Sequence, residues 1–150
     1  MIYRRLSPKR VEKRWGAALV EMALVLPIFF AVVLGIIEFG RAMMVGQLAT
    51  NAAREGARLA ILDGTTNNEV ETFIEDFLNE TTGVSSGAIT VTITVTPAPG
   101  NDDNGDEVSN ASPRDLCTVK VEIPFDEVNF IPGSYLGGKK LVGQSSMRHE

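Results

Sequence analysis

The residues best placed to do chemistry lie at the start of an apolar stretch, where a carboxylate follows a glycine. Glu21 comes five residues after Gly16 and is the only charged residue between Trp15 and Ile37. A charged side chain within a membrane costs about 2.5–3.5 kcal/mol on insertion scales, so its presence needs a reason. A peptidase that cuts after Gly16 would create a new amine at Ala17, within reach of the Glu21 carboxylate. The spacing therefore favours an ion pair between a processed N-terminus and Glu21.

The apolar stretch that holds Glu21 predicts a transmembrane helix over residues 17–37. Its length corresponds to about 31 Å of helix, enough to cross the hydrocarbon core of a bilayer. A secretory signal peptide is the alternative, but its apolar core usually has about 7–15 residues and a small-x-small cleavage site follows it. Here the core is longer and no such site follows, so we expect a retained anchor. Pro27 removes one helix hydrogen bond and predicts a local bend.

The distribution of charge predicts how the chain crosses the membrane. Residues 1–16 hold six basic residues and one acidic residue, a net charge of +5, whereas the whole chain carries −5, which leaves −10 on residues 17–150. Basic flanks stay in the cytoplasm, so this basic leader predicts a cytoplasmic N-terminus and an extracytoplasmic C-terminal body. The acidic body excludes a nucleic-acid-binding protein.

The helix is expected to continue beyond the membrane, over residues 38–62, because no proline intervenes and helix-forming residues dominate. Small residues recur along it at steps of three and four, which is a 3.5-residue period typical of close helix packing. This helix-packing seam consists of Gly35, Phe39, Ala42, Gly46, Ala49, Ala53, Gly56 and Ala60. A partner helix is favoured near the membrane. Near Gly56 and Ala60, packing on the chain's own globular part is an equal alternative.

Residues 63–150 predict a small extracytoplasmic domain of mixed structure. Residues 69–80 place apolar side chains on one helical face, with a capping box at Thr66 and Glu69. Residues 88–96 and 116–125 alternate apolar and polar side chains, as half-buried strands do, and residues 139–149 repeat the pattern weakly. The expected fold class is α+β: a long N-terminal helix, transmembrane in its first half and soluble in its second, packed with a small antiparallel sheet and one further amphipathic helix.

The acidic loop between the first two strands was considered as a metal site. Asp102, Asn104 and Asp106 have the alternate spacing of the first calcium ligands of an EF-hand loop. However, Glu107 occupies the position that requires glycine, and the closing glutamate is missing. We therefore expect a solvated loop and no metal.

Candidate catalytic residues are scarce. His149 is the only histidine and Cys117 the only cysteine, and they are far apart in sequence. We expect His149 to be exposed and Cys117 to be a buried apolar residue of a strand, with an intermolecular disulfide as the alternative. No phosphate-binding loop or zinc spacing is present in the sequence. We therefore expect no enzymatic activity, no catalytic residues and no cofactor.

The sequence resembles TadE-like proteins, the minor pseudopilins of the tight adherence (Flp, type IVb) pilus system. Four features over roughly residues 14–62 carry the resemblance: the Gly-x-x-x-x-Glu junction at Gly16, the ALVLP run, the IIEFGR continuation and the NAAREGAR segment. The closing SSMRHE also resembles the ends of such chains. One position departs from the family pattern, because Met22 stands where an aromatic residue often follows the glutamate.

The resemblance implies a role in assembly. A dedicated prepilin peptidase would cut between Gly16 and Ala17, and Glu21, then the fifth residue of the mature chain, would attract the free amine of a neighbouring subunit. It implies an inner-membrane protein that packs against other pilins or pseudopilins through its N-terminal helix. The alternative that the residues leave open is a membrane-anchored exported binding module with no pilus role.

Overall fold

The structure is a computed structural model that describes residues 15–103, 105–130 and 136–149. Helix α1 extends over Trp15–Ala60 and continues through Pro27. It ends two residues earlier than expected, since the chain turns at Gly64, whose φ of 83° favours glycine. The chain divides between Ile36 and Ile37 into two compact units, which are described separately below. Most of the basic leader, residues 1–14, lies outside the described residues.

Helix α2, Asn67–Thr82, begins and ends with the expected local signals. The Thr66 hydroxyl accepts from the backbone N–H of Glu69, and the Glu69 carboxylate accepts from the backbone N–H of Thr66, which forms a capping box. Gly83 closes the helix with a left-handed φ of 74°. The buried face is narrower than the apolar pattern indicates: Val70, Ile74 and Leu78 are buried, while Phe73 remains 41% exposed.

Three antiparallel strands form one sheet in the order β1-β2-β3: β1 is Thr90–Thr96, β2 is Leu116–Pro124 and β3 is Lys140–Arg148. The central strand β2 buries every second residue completely. In the register of the sheet, Val119 lies opposite Ile93 on one side and Ser145 on the other. Three short 3-10 helices, Ser86–Ala88, Val108–Asn110 and Phe125–Glu127, lie in the connections.

The core of the second unit lies between this sheet, α2 and the part of α1 that follows Ile36. Its largest fully buried side chains include Phe125, Ile74, Leu78 and Ile123. Roughly every third or fourth residue of α1 from Ala42 to Ala60 is also buried. The expectation of an α+β fold with a long helix, a second helix and a small antiparallel sheet is therefore confirmed.

Candidate functional site

The residues at the predicted processing site lie in the first turns of α1. Gly16, Ala17 and Glu21 are helical and exposed. Residues four apart on a helix lie on the same face, with Cβ atoms about 5–6 Å apart, so Ala17 and Glu21 are neighbours. Among the described residues, Glu21 has no hydrogen-bond or ion-pair partner. The carboxylate is therefore available to a group supplied from elsewhere.

The side chains around Glu21 are apolar and exposed. In the first unit, Leu19, Leu24 and Ile28 are each more than two-thirds exposed. Burying apolar surface contributes about 25 cal/mol per Å², so a helix with this surface requires an apolar environment. Among the described residues, α1 is the one helix long and apolar enough to cross a membrane.

The predicted packing seam falls into two parts. In the second unit, five of its members are buried by the chain's own domain: Ala42, Ala49, Ala53, Gly56 and Ala60. Gly46 is half-buried with open space where a Cβ would be, and Phe39 is 55% exposed. In the first unit, Gly35 also has open space beside it.

Close approach of other backbone and side chains explains the buried part of the seam. A Cβ placed on Gly143 of β3 would overlap the backbone of Ala49, and a Cβ placed on Gly56 would lie 2.5 Å from Cδ1 of Ile74. This domain already covers Ala42 and Ala49, so packing within the chain accounts for their small side chains without a partner helix. The small residues permit the sheet and α2 to approach α1.

A different face of α1 is left uncovered in the second unit, and it includes residues outside the predicted seam. Gly40 has open space beside it, and Met43 is 67% exposed, next to the exposed Phe39. We call this surface the open face, and it consists of Phe39, Gly40, Met43 and Gly46. Met43 lies four residues after Phe39 and three before Gly46, so this face has the three-and-four spacing of the buried seam, shifted around the helix by about one residue. The spacing alone does not tell the two faces apart.

A second missed feature joins α1 to the connection between β2 and β3. Glu38 is 5% exposed, and one of its carboxylate oxygens accepts from the backbone N–H of Phe130 at 3.3 Å. The Nε of Arg41 donates to the carbonyl of Val128, and the Arg41 guanidinium lies 5.8 Å from the centre of the Phe130 ring. The other Glu38 oxygen, Oε1, is buried and has no hydrogen-bond partner. The sequence offers one signal for this contact, since Glu38 and Arg41 are the first charged residues after the apolar stretch.

The acidic loop is fastened to its surroundings rather than simply solvated. The Asp106 carboxylate accepts from the backbone N–H of Val95, and the Glu107 carboxylate accepts from that of Asn67. Asn67 in turn donates to the Asp106 carbonyl. Asn104, one of the residues considered for calcium, lies outside the described residues. Among those described, no group of three or more His, Cys, Asp or Glu side chains is arranged to hold a metal ion.

Asp115 closes the same loop and is 2% exposed. Its carboxylate accepts from the backbone N–H groups of Ala98 and Ser112, each at 2.8 Å, and from the Asn101 side chain at 2.6 Å. These hydrogen bonds, first that of Ala98 and then that of Asn101, hold the pKa of Asp115 below its ordinary value. The charged form of Asp115 therefore organises the loop.

The single cysteine and the single histidine both have structural surroundings. Cys117 is fully buried in β2, as expected, and desolvation raises the pKa of its thiol. His149 was expected to be exposed, and this was wrong: it is 8% exposed, and its Nε2 lies 3.8 Å from a carboxylate oxygen of Asp63. Its backbone N–H donates to the carbonyl of Asp115, so pairing of the C-terminal segment with the loop buries it.

The far end of α1 borders an open depression of about 490 Å³. Its lining combines exposed apolar side chains with one ion pair, that between Arg58 and Glu55 at 3.4 Å. The lining residues are Glu55, Arg58, Leu59, Ile61, Leu62 and Phe73. The exposure of Phe73 and Leu62 follows from their position at this rim.

These features define a class of protein: a small α+β domain built on the second half of a long N-terminal helix whose first half is apolar enough to cross a membrane. Within that class, residues 16–58 match the family model of TadE-like proteins. The match covers Gly16, the apolar stretch and nearly all of the remaining helix. No curated protein and no solved structure matches the chain.

Proposed function

We propose that this protein is a minor pseudopilin or assembly component of a Tad (Flp, type IVb) pilus system. It is inserted in the inner membrane with a cytoplasmic N-terminus and an extracytoplasmic domain, a prepilin peptidase cuts it between Gly16 and Ala17, and its N-terminal helix packs against other pilins. The protein has no catalytic role and needs no cofactor.

The observation that carries the proposal is the exposed Glu21 carboxylate among exposed apolar side chains, without a partner among the described residues. In lipid, an isolated carboxylate is unfavourable, and an opposite charge within about 4–6 Å removes much of that penalty. Cleavage after Gly16 supplies a positive amine at the start of the helix, and a neighbouring subunit supplies a second. Pairing between neighbours would favour a lateral assembly of helices.

The open face gives the assembling helices a place to meet. Gly40 and Gly46 have open space where a side chain would be, and Phe39 and Met43 supply apolar area around them. Small residues permit backbones to approach closely, and the larger apolar side chains contribute burial. This face supports a partner helix at a position that the domain itself leaves uncovered.

Two variants test the proposal by separating cleavage from assembly. Gly16→Ala is expected to leave an uncut precursor, and Glu21→Ala is expected to be cut normally but to fail in pilus assembly. Intact mass reports cleavage, and the yield of surface pili reports assembly. Met22→Ala is the matched control, because it shortens an adjacent exposed side chain without changing charge. Normal-sized mature protein from Gly16→Ala, or normal pili from Glu21→Ala, would refute the corresponding step.

A second candidate function is an exported binding module with no pilus role, and the depression at the rim of α1 favours it. Exposed Phe73 and Leu62 beside Arg58 form a mixed apolar and charged surface suited to a protein partner. Under this alternative, Phe73→Ala would abolish partner binding while Glu21→Ala would leave function intact. Under the pilus proposal, Glu21→Ala would abolish function, while Phe73→Ala would leave it intact.

A further inference from the structure

Phe130 combines a fixed backbone with an exposed ring. Its N–H donates to Glu38 at 3.3 Å, and its ring lies 5.8 Å from the Arg41 guanidinium. The Nε of Arg41 also donates a hydrogen bond to the carbonyl of the nearby Val128. Although three contacts fasten this segment to α1, Phe130 is 71% exposed. The apolar ring is therefore held in place and remains available to contact a surface outside the domain.

Phe130 lies beside the part of α1 that directly follows the apolar stretch. Glu38 and Arg41 are the first charged residues after an apolar stretch of about 31 Å, so they stand where a spanning helix leaves the hydrocarbon core. The contacts of Phe130 with these two residues place its ring at the same level. Aromatic residues are enriched at this boundary, where an apolar ring meets the headgroups.

We propose that Phe130 is a membrane-contact residue, whose ring inserts into the headgroup boundary of the bilayer that α1 crosses. The inference rests on the anchoring part of the proposed function and adds a second point of attachment. The helix alone fixes the depth of the domain, whereas a helix and a ring together also restrict its tilt against the bilayer surface. The open face would then be held at a defined height above the membrane.

The charges beside Phe130 indicate what kind of lipid contact this is. The Arg41 guanidinium beside the ring is opposed by the nearby Glu38 carboxylate, and Asp126 and Glu127, which precede Val128, are exposed and acidic. Anionic lipid headgroups would be repelled by this pair, so electrostatic attraction does not draw the segment to the membrane. The contact is therefore apolar, and it should form on an uncharged phosphatidylcholine surface.

Three phenylalanine-to-tryptophan variants test the inference in the full chain, each with Trp15→Phe to remove the native tryptophan. Phe130→Trp reports the proposed contact. Phe29→Trp, in the apolar half of α1 and 56% exposed, reports the span. Phe73→Trp is the matched control: it is also exposed, but it borders Arg58, about 25 Å along the helix from Arg41. Each variant is placed in nanodiscs of phosphatidylcholine without bromine, or with bromine at two depths of the acyl chains, near the headgroup and near the chain ends.

We expect brominated lipid to quench the emission of the tryptophans at positions 29 and 130, and to leave that at position 73 unchanged. Adding Arg41→Ala to the Phe130→Trp variant should reduce the quenching, since the segment loses its anchor on α1. If position 130 is unquenched while position 29 is quenched, the inference fails and the membrane anchor stands. If position 29 is also unquenched, both the inference and the anchoring on which it rests fail. The quenching measurement does not depend on pilus yield, so its result is separate from the test of pilus assembly.

Discussion

Gly143 of β3 lies directly against the backbone of Ala49 in α1, so closely that a Cβ on the glycine would overlap the Ala49 carbonyl group. Position 143 requires glycine, because any side chain there would meet the backbone of the helix. The strand passes over the helix at backbone distance, without a layer of side chains between them. This contact fixes the outer strand of the sheet onto the second half of α1, and it makes the helix part of the core of the domain.

Cys117 supplies a reporter for unfolding of this domain. It is the only cysteine and is fully buried, and desolvation raises its thiol pKa, so the native protein should react very slowly with a fluorogenic maleimide at neutral pH. Unfolding should expose it and produce a single fluorescence transition. Cys117→Ala combined with Ser109→Cys is the control, since Ser109 is exposed and its replacement should react immediately. Rapid labelling of the native wild-type chain would contradict the prediction.

Gly143→Ala should destabilise the domain by about 3 kcal/mol, because the new methyl group meets backbone that cannot move aside without displacing α1 or β3. Chemical unfolding in detergent, followed by labelling of Cys117, measures the loss. The apolar half of α1 is not required for this contact, so membrane insertion should be unaffected.

Gly46→Ala is the contrasting variant on the helix. Its Cβ meets nothing within 4 Å in the chain, and alanine is favoured over glycine in a helix interior by about 1 kcal/mol. We expect a gain in domain stability together with a loss of assembly, because the methyl group occupies the open face that a neighbouring helix would approach. A variant that is stabilised and still assembles normally would exclude Gly46 from the partner contact.

Gly56→Ala should be tolerated better than Gly143→Ala, because the clash involves the far end of a flexible side chain, Cδ1 of Ile74. The gain in helix propensity, about 1 kcal/mol, offsets part of the cost. Ile74→Val removes Cδ1 and alone should cost about 0.5–1.5 kcal/mol. In the double variant, the two changes should compensate each other. Strictly additive costs in a double-mutant cycle would show that the two positions are not in contact.

Asp115 predicts how stability depends on pH. Its folded pKa lies below the ordinary value of 3.8, so its contribution is fully present at neutral pH and is lost as the pH falls through the folded value. Asp115→Asn should lower stability at pH 7, because an amide nitrogen would face the backbone N–H groups of Ala98 or Ser112. The variant should also lose part of the acid sensitivity below pH 4, as measured by denaturant unfolding followed by circular dichroism at each pH. Asp76→Asn, on the exposed face of α2, is the charge-matched control and should behave as the wild type.

Much of the fold could be predicted because it is encoded locally. The α2 capping box and the alternation along β2 depend on neighbours in sequence, and both are found as expected. The third strand gave a weaker signal, because Gly143 and Ser145 occupy inward positions where large apolar residues would mark a strand. Close packing against α1 requires a small residue at position 143. The same small residue weakens the apolar pattern by which the strand could be recognised in the sequence.

The sequence indicates candidate residues where they depend on spacing along one helix, and it gives no sign of contacts with distant parts of the chain. Gly16, Ala17 and Glu21 follow from a single short segment, and their helical arrangement is found in α1. The contact of Glu38 and Arg41 with Phe130 joins residues about 90 positions apart, and no local pattern indicates it. His149 was placed wrongly for the same reason, since its burial depends on hydrogen bonds to Arg114 and Asp115.

By itself, the sequence determined that this protein has an apolar helix with one carboxylate, a second amphipathic helix and strands that bury one face. These features follow from hydrophobic periodicity and helix length, which do not depend on the rest of the chain. Only the tertiary structure decided which small residues of α1 are covered and which remain open. A glycine or alanine indicates that another backbone packs closely against it. Its side chain is too small to specify whether that neighbour is a strand of the same domain or the helix of another subunit.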